Sequence, residues 1–413
     1  MRRERAPGMK VLHTSDWHLG HRLYNYDRSD EEAHFFGQLA ELVARERPDA
    51  LLVSGDVYHT GTPGNDVAKA FTRRLVEVLD GSPETETVIV AGNHDSYSRL
   101  EIDEALWRRL KVRIVGTPGE DSDGVADFSR NVIRIGGKGI VAAVPFCHPR
   151  NFPSVAGGAE TDRTSAYFHG LRAYVEAQNP SRLPTILMAH LAVGKDTDLA
   201  GHDPVAVIGG EECVEQSALG AGYDYVALGH IHCPQWLKGG RVARYCGTPR
   251  AVNFDETYPH GVDVVEVAAG KEPELRTEVL EPLRGLKTLG GKSGLPFEDA
   301  LKELSAADLP SGAYVRLNVA LAADENVQAE WTERARKAAA DRGLRFCVIN
   351  PIRAVADGRS PAGGGRIAMD RLRELSDEEV LTVLSGSRAM TDRQKELLRG
   401  LMAELASRGG RPS

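Results

Sequence analysis

Five short polar clusters, each placed directly after an apolar run or at its end, constrain this chain more than any other feature. They are Asp16-Trp17-His18, Gly55-Asp56-Val57-Tyr58-His59, Gly92-Asn93-His94-Asp95, Ala189-His190 and Gly229-His230-Ile231-His232. The apolar runs cover residues 10–14, 50–53, 87–91, 185–188 and 225–228, with a further run at 140–144. Residues 29–47 place Ala33, Phe36, Leu39, Ala40 and Val43 on one helical face, and residues 66–79 do the same with Ala70, Phe71, Leu75 and Leu79. Strands alternating with amphipathic helices predict an α/β sheet with helices packed on it. Residues 245–255 and 262–267 read as extended, so part of the sheet is expected to be antiparallel. Ligands of open α/β sheets bind outside the carboxyl ends of the strands. Five clusters at that edge therefore predict one shared site.

The residue types suit two metal ions. Imidazole nitrogen combined with carboxylate oxygen favours first-row transition metals over an all-oxygen magnesium cage. Asp16, His18 and Asp56 can serve one ion; Asp56, Asn93, His190 and His230 can serve the other, with Asp56 bridging. His232, two residues beyond His230 on an extended segment, points the same way and can complete the first shell. Two divalent cations outweigh two carboxylates, and the surplus charge favours a hydroxide and a phosphate anion. Ions about 3.5–4 Å apart form a clamp for in-line phosphoryl displacement. His94 is not needed as a ligand and can protonate a leaving oxygen, with Asp95 expected to orient it. His59 is a second candidate for contacting the phosphate.

Other features are silent or misleading. His13 lies inside a strand and reads as a core histidine, while His21, His34, His148, His169, His202 and His260 read as surface or structural. Gly290-Gly291-Lys292-Ser293 resembles the end of a phosphate loop, but the pattern requires glycine at 286, where Leu286 stands. No ATPase is therefore expected in this chain. The five cysteines are scattered, with no CxxC pair, which predicts neither a disulfide framework nor a cysteine zinc site. With 51 basic against 59 acidic residues the net charge is −8, which disfavours a basic nucleic-acid-binding patch unless bound metals supply local positive charge. No stretch approaches the ~18 apolar residues of a membrane span. The basic start, MRRERAPG, lacks the apolar segment of a signal peptide and reads as a loose extension before Met9.

A second unit is expected at about residues 285–351: strand 286–289, helix 297–304, strand 313–319, helix 327–340, strand 344–349. The Gly/Pro-rich stretch 357–365 reads as a linker. Two helices are expected after it, with capping boxes at Ser376/Glu379 and Thr391/Gln394. Leu397, Leu398, Leu401, Met402 and Leu405 form an apolar stripe suited to a partner or to the chain's own body.

The five clusters resemble those of the calcineurin-like metallophosphoesterase superfamily. Thr14-Ser15-Asp16-Trp17-His18-Leu19-Gly20, Gly55 to His59, Gly92-Asn93-His94-Asp95-Ser96, Gly229 to Gln235 and Tyr245-Cys246-Gly247-Thr248-Pro249 resemble, more closely, its SbcD-type nuclease family. The resemblance implies a two-sheet α/β sandwich flanked by helices (residues 9–280), a small α+β DNA-capping domain (285–356), a linker (357–365) and a helical tail (366–408) that binds an SbcC-type ATPase. It implies two manganese ions, one on Asp16, His18, Asp56 and His232, the other on Asp56, Asn93, His190 and His230. His94 would be the catalytic histidine, with His59 helping at the phosphate. The implied activity is exonuclease on DNA duplex ends and endonuclease on single strands or hairpins, in DNA repair and recombination. The assembly would be two nuclease and two ATPase chains, cytoplasmic and nucleoid-associated, with the nuclease dimerising through its catalytic domain. Two other readings compete: a small-molecule phosphodiesterase or phosphatase on the same scaffold, and a DNA-end-binding scaffold with an inert site.

Overall fold

The computed structural model describes residues 8–156, 162–194, 213–322 and 325–353. The linker and tail expected at 357–365 and 366–408, and His202, lie outside the described residues.

The chain runs β1 (Met9–Thr14), α1 (Ser29–Glu46), β2 (Ala50–Ser54), α2 (Asn65–Asp80), β3 (Glu86–Val90), α3 (Tyr97–Leu100), α4 (Glu104–Trp107), β4 (Val112–Val115), β5 (Val132–Ile135), β6 (Gly139–Val144), α5 (Arg163–Ala177) and β7 (Thr185–His190). It continues through β8 (Ala192–Val193), β9 (Cys213–Val214), β10 (Tyr225–Gly229), β11 (Gln235–Trp236), β12 (Ala243–Tyr245), β13 (Gly261–Val267) and β14 (Glu274–Val279). Two six-stranded sheets result, in the orders β14-β13-β1-β2-β3-β4 and β11-β12-β10-β7-β6-β5, while β8 and β9 pair separately. The neighbours of β1 show the mixed character of the first sheet: β2 is parallel to it and β13 antiparallel.

Side-chain alternation makes these sheets a sandwich. Successive residues of a strand point to opposite faces. On β1 and β2, Val11, Ala50 and Leu52 enter a central apolar layer. Leu12, Leu51 and Val53 face the other way, into a layer shared with α1 and α2. The second sheet mirrors this. Ile186 and Met188 of β7 join the central layer, while Leu187 and Ala189 pack beneath α5. The expected two-sheet α/β sandwich flanked by helices is what the chain adopts.

One sequence expectation changes. Residues 245–255 were expected to be extended, but the strand covers only Ala243–Tyr245 and the chain then curls into turns. These turns carry Arg250 and Glu256, both buried and charged. Arg250 is held by Glu32 and the Trp17 and His18 carbonyls, and Glu256 gathers the polar groups of its own turn, neither of which leaves a periodic pattern in the sequence.

A parallel three-stranded sheet follows, formed by β15 (Leu286–Leu289), β16 (Tyr314–Leu321) and β17 (Arg345–Arg353). With α6 (Phe297–Ala306) and α7 (Ala329–Asp341) it encloses its own apolar core. The glycine-rich segment 290–294 is a loop before α6, and Gly290 and Gly291 both have positive φ. The helix begins only at Phe297, so the segment lacks the loop-to-helix junction of a phosphate loop. Polar contacts tie this module to the sandwich. Tyr314 Oη donates to Glu31 at 2.6 Å, Tyr26 Oη donates to the Phe346 carbonyl at 3.1 Å, and Arg316 Nη2 meets Asp255 at 2.9 Å.

Among the described residues no helix is long and apolar enough to cross a membrane.

Candidate active site

The five clusters lie at the carboxyl ends of β1, β2 and β3 in one sheet and of β7 and β10 in the other, with His190 the last residue of β7. Their backbone is held in an unusual shape. Asp16, His18, Asp56 and His230 all have positive φ, at 54°, 46°, 51° and 99°. Non-glycine residues accept this conformation only where the surroundings over-determine it. Here the Asp16 and His18 amides donate to the Gly55 and Asp56 carbonyls at 2.9 and 3.0 Å, and the His230 amide donates to the Asp16 carboxylate. Trp17, between Asp16 and His18, is fully buried against Phe35 and Phe36 of α1. Its burial anchors the loop beneath its two polar neighbours.

The side chains converge. Ligating atoms of Asp16, His18 and His232 lie within 4.8 Å of one another, as do those of Asp16, Asp56 and His190. Asp56 stands between the groups: its Oδ2 lies 3.8 Å from His18 Nε2 and 3.5 Å from His190 Nε2. Asn93 Oδ1 is 3.0 Å from both His190 Nε2 and His230 Nδ1.

These contacts test whether the donors fit metal ions. His190 Nδ1 donates to the Ser54 carbonyl at 2.7 Å, and His232 Nδ1 donates to Glu256 at 2.9 Å. Nε2 of His190 then faces a second acceptor, Asn93 Oδ1, while Nε2 of His232 lies 3.2 Å from His18 Nε2. Acceptors on both sides of the His190 ring call for a second proton or a metal at Nε2, and the paired nitrogens of His18 and His232 suit a shared cation. Protonation responds to the same demand. Burial opposes charge on His190, yet Asp56 and Asp16 beside it raise its pKa to about 9. Burial would also raise Asp56, but His190, His18 and His94 hold it well below the usual carboxylate range. Burial lowers His18, keeping it in the neutral form that ligates metals. The donor set fits divalent cations.

His94 and His59 flank the cluster. The His94 ring lies across His18 at 5.0 Å, and His59 stacks on His94 at 5.7 Å. His94 Nδ1 donates to the His59 carbonyl at 2.9 Å. Asp95 therefore does not take the expected role. Its carboxylate accepts from the amides of Val57, Tyr58 and Gly92, at 3.1, 2.8 and 2.9 Å, and braces the loops after β2 and β3. Burial and the nearby Asp56 raise its pKa to about 7. Three backbone donors occupy the carboxylate, and the backbone of His59 orients the catalytic candidate instead.

Three further histidines take definite places. His13 is indeed a core residue. It bonds the Tyr225 hydroxyl and Ser54 Oγ at 2.9 and 3.1 Å, and burial pushes its pKa down to about 3. His21, expected to be structural, packs across His59 at 4.7 Å. His148 packs across Phe146, whose ring stacks over His230.

Sequence reasoning missed Glu256, Arg250 and Phe146. Glu256 lies on no strand and 24 residues beyond His232, the end of the nearest cluster. Arg250 follows the Tyr245–Pro249 motif but has no local partner. Phe146 had a usable signal, since it stands two residues after the apolar run 140–144, as the other clusters follow theirs.

Residues 9–234 match the Metallophos family, calcineurin-like phosphoesterase. Among curated proteins, the SbcD chain of the SbcCD nuclease from Rhodobacter capsulatus is 33% identical over 77% of this chain and 82% of its own length. That of Escherichia coli K12 is 30% identical over 68% and 71%, and that of Bacillus subtilis 29% over 69% and 74%. With this match over more than half its length, and these relatives over most of theirs, the chain belongs to the calcineurin-like phosphoesterase family, among the relatives of the SbcD chain of SbcCD nucleases.

Proposed function

We propose that this chain is a manganese-dependent DNA nuclease that works with an SbcC-type ATPase in DNA repair. One ion would be held by Asp16, His18, Asp56 and His232, the other by Asp56, Asn93, His190 and His230. The observation that carries this reading is the position of Asp56, within 4 Å of ligand nitrogens from both groups. Bound there, two divalent ions would polarise the phosphate and lower the pKa of an attacking water.

The protein's own groups do the rest. With Nδ1 committed to the His59 carbonyl, Nε2 of His94 is the atom that exchanges a proton with the departing oxygen. The His59 ring, stacked on His94, restrains it and contacts the phosphate. Ser54 O and Glu256 hold the ligating rings in fixed tautomers.

In this reading residues 9–280 form the catalytic domain and 285–356 cap the DNA. Residues 357–365 link to a tail, 366–408, that binds the ATPase. Two nuclease chains pair in a heterotetramer in the cytoplasm, associated with the nucleoid. Exposed Tyr97, Ile102, Leu106 and Leu110 support the pairing, because α3, α4 and the turn after them carry this apolar patch on the catalytic domain.

The test is cleavage of labelled duplex and single-stranded DNA by the purified chain with Mn²⁺, beside His94→Gln. Cleavage lost in the variant, with two ions still bound, supports the reading. No cleavage by the wild type, even with its ATPase partner and ATP, returns the site to a small-phosphodiester hydrolase.

A further inference from the structure

The loop after β6 brings Phe146 to the wall of the site. Its amide donates to the Ala91 carbonyl at 2.8 Å, directly before the Gly92-Asn93-His94 cluster. The two loops are thereby fixed to each other. The Phe146 ring lies 6.3 Å from His230 at an interplanar angle of 28°, and 6.3 Å from His190 at 77°. It is half-buried, while Cys147 beside it packs against the core beneath α5. The same loop exposes His148, whose ring meets Phe146 edge-on at 5.1 Å, and Arg150.

This wall is set against His190 and His230, whereas His59 and His94 gather around His18. A phosphodiester centred on the cluster carries a nucleoside on each side. The imidazoles of His59 and His94 serve one flank. The other flank offers a flat apolar ring with basic groups beyond it. Aromatic rings bind bases of single strands by stacking, with little regard to sequence, and neighbouring basic residues track the phosphates.

We propose that Phe146 is a stacking platform for the nucleobase on one side of the scissile phosphate, with His148 and Arg150 following the backbone beyond it. The proposal rests on the nuclease reading and specifies how that site holds its substrate. Phe146 acts by touching the substrate; the competing role is support of His230.

The experiment is a cycle between one side chain and one base. Wild type and Phe146→Leu are assayed with Mn²⁺ on a short single-stranded oligonucleotide, read at one cleavage position. Three substrates are used: the intact strand, and strands with an abasic spacer on either side of that position. Phe146→Leu is expected to lower kcat/KM on the intact strand about tenfold, mainly through KM. A spacer on one of the two sides should cost the wild type a similar factor. Combining the substitution with that spacer should add no further loss, and Phe146→Trp should restore cleavage of the intact strand. Losses that multiply fully with both spacers would overturn the proposal. So would weaker Mn²⁺ binding by Phe146→Leu in calorimetry, which would place the ring's role in supporting His230. A wild type that cleaves none of the three strands, even with its ATPase partner and ATP, would instead sink the nuclease reading itself.

Discussion

Glu256 Oε1 lies 2.9 Å from His232 Nδ1, and the same carboxylate accepts from three groups of its own turn. Thr248 Oγ1 and the Val252 amide donate to Oε2 at 3.1 Å, and Asn253 Nδ2 donates to Oε1 at 3.2 Å. The carboxylate is thus fixed before it meets the imidazole, and it sets the ring with Nε2 toward His18. Such outer contacts typically change metal affinity by about 10–100-fold. Glu256→Gln should weaken the Mn²⁺ site on His18 and His232 by about this factor, while the site on His190 and His230 changes little. Calorimetric titration of Mn²⁺ would resolve two affinities. Unchanged binding at both would remove Glu256 from the site.

Asp56 and Gly92 form a second dependent pair. A Cβ on Gly92 would overlap the Asp56 carboxylate and its backbone nitrogen. Gly92→Ala should therefore displace Asp56 and mimic Asp56→Asn, with both variants losing tight binding of both ions. Metal content after gel filtration would show this. In the wild type, Mn²⁺ at about 100 times its Kd should stabilise the fold by about 2.7 kcal/mol, and EDTA should reverse the gain in Tm. An Asp56→Asn protein that still gains the full Tm increment would contradict the bridging role.

Arg250 and Glu32 make a buried ion pair at 3.2 Å. Arg250 Nη2 also donates to the Trp17 and His18 carbonyls at 3.2 and 3.1 Å, and Glu32 accepts from the Gly20 amide at 2.8 Å. Together they clamp the loop that carries Asp16 and His18. Burial pushes Arg250 down to about 10 and raises Glu32, so neither charge is comfortable without the other. Arg250→Met should cost about 3–5 kcal/mol of stability by leaving the carboxylate alone. The Arg250→Met/Glu32→Leu double variant should recover part of that loss in urea unfolding. Additive losses would mean the two residues act independently.

Ile102 and Leu106 are 78% and 65% exposed, unusual for large apolar side chains on adjoining short segments. If this patch joins two copies of the chain, Ile102→Lys with Leu106→Glu should halve the mass seen by light scattering. The residues lie outside the core clusters, so the far-ultraviolet circular dichroism should not change. A wild type that already runs at the mass of one chain would refute the dimer face.

The alternation of apolar runs and amphipathic segments determined the strands and helices of the sandwich, because burial on each strand and helix face is written at periods of 2 and 3.6. The helix over Ser29–Glu46 falls within one residue of the segment read from the sequence. The same rhythm determined that polar residues fall at strand ends, and so named Asp16, His18, Asp56, Asn93, His94, His190, His230 and His232 as candidates. Only the tertiary structure decided that these clusters come from two sheets rather than one edge. Asp16, Asp56 and Asn93 follow strands of the first sheet, while His190 ends one strand of the second and His230 follows another. Their meeting depends on how the two sheets stack, through a central layer whose members run from Met9 to Val267. The roles of Asp95, Glu256 and Arg250 were decided at the same level. Each is a carboxylate or guanidinium held by backbone groups and by side chains that no apolar periodicity marks. Local pattern records which face of an element is apolar, but it does not record which carbonyl or amide folding will bring to a buried charge.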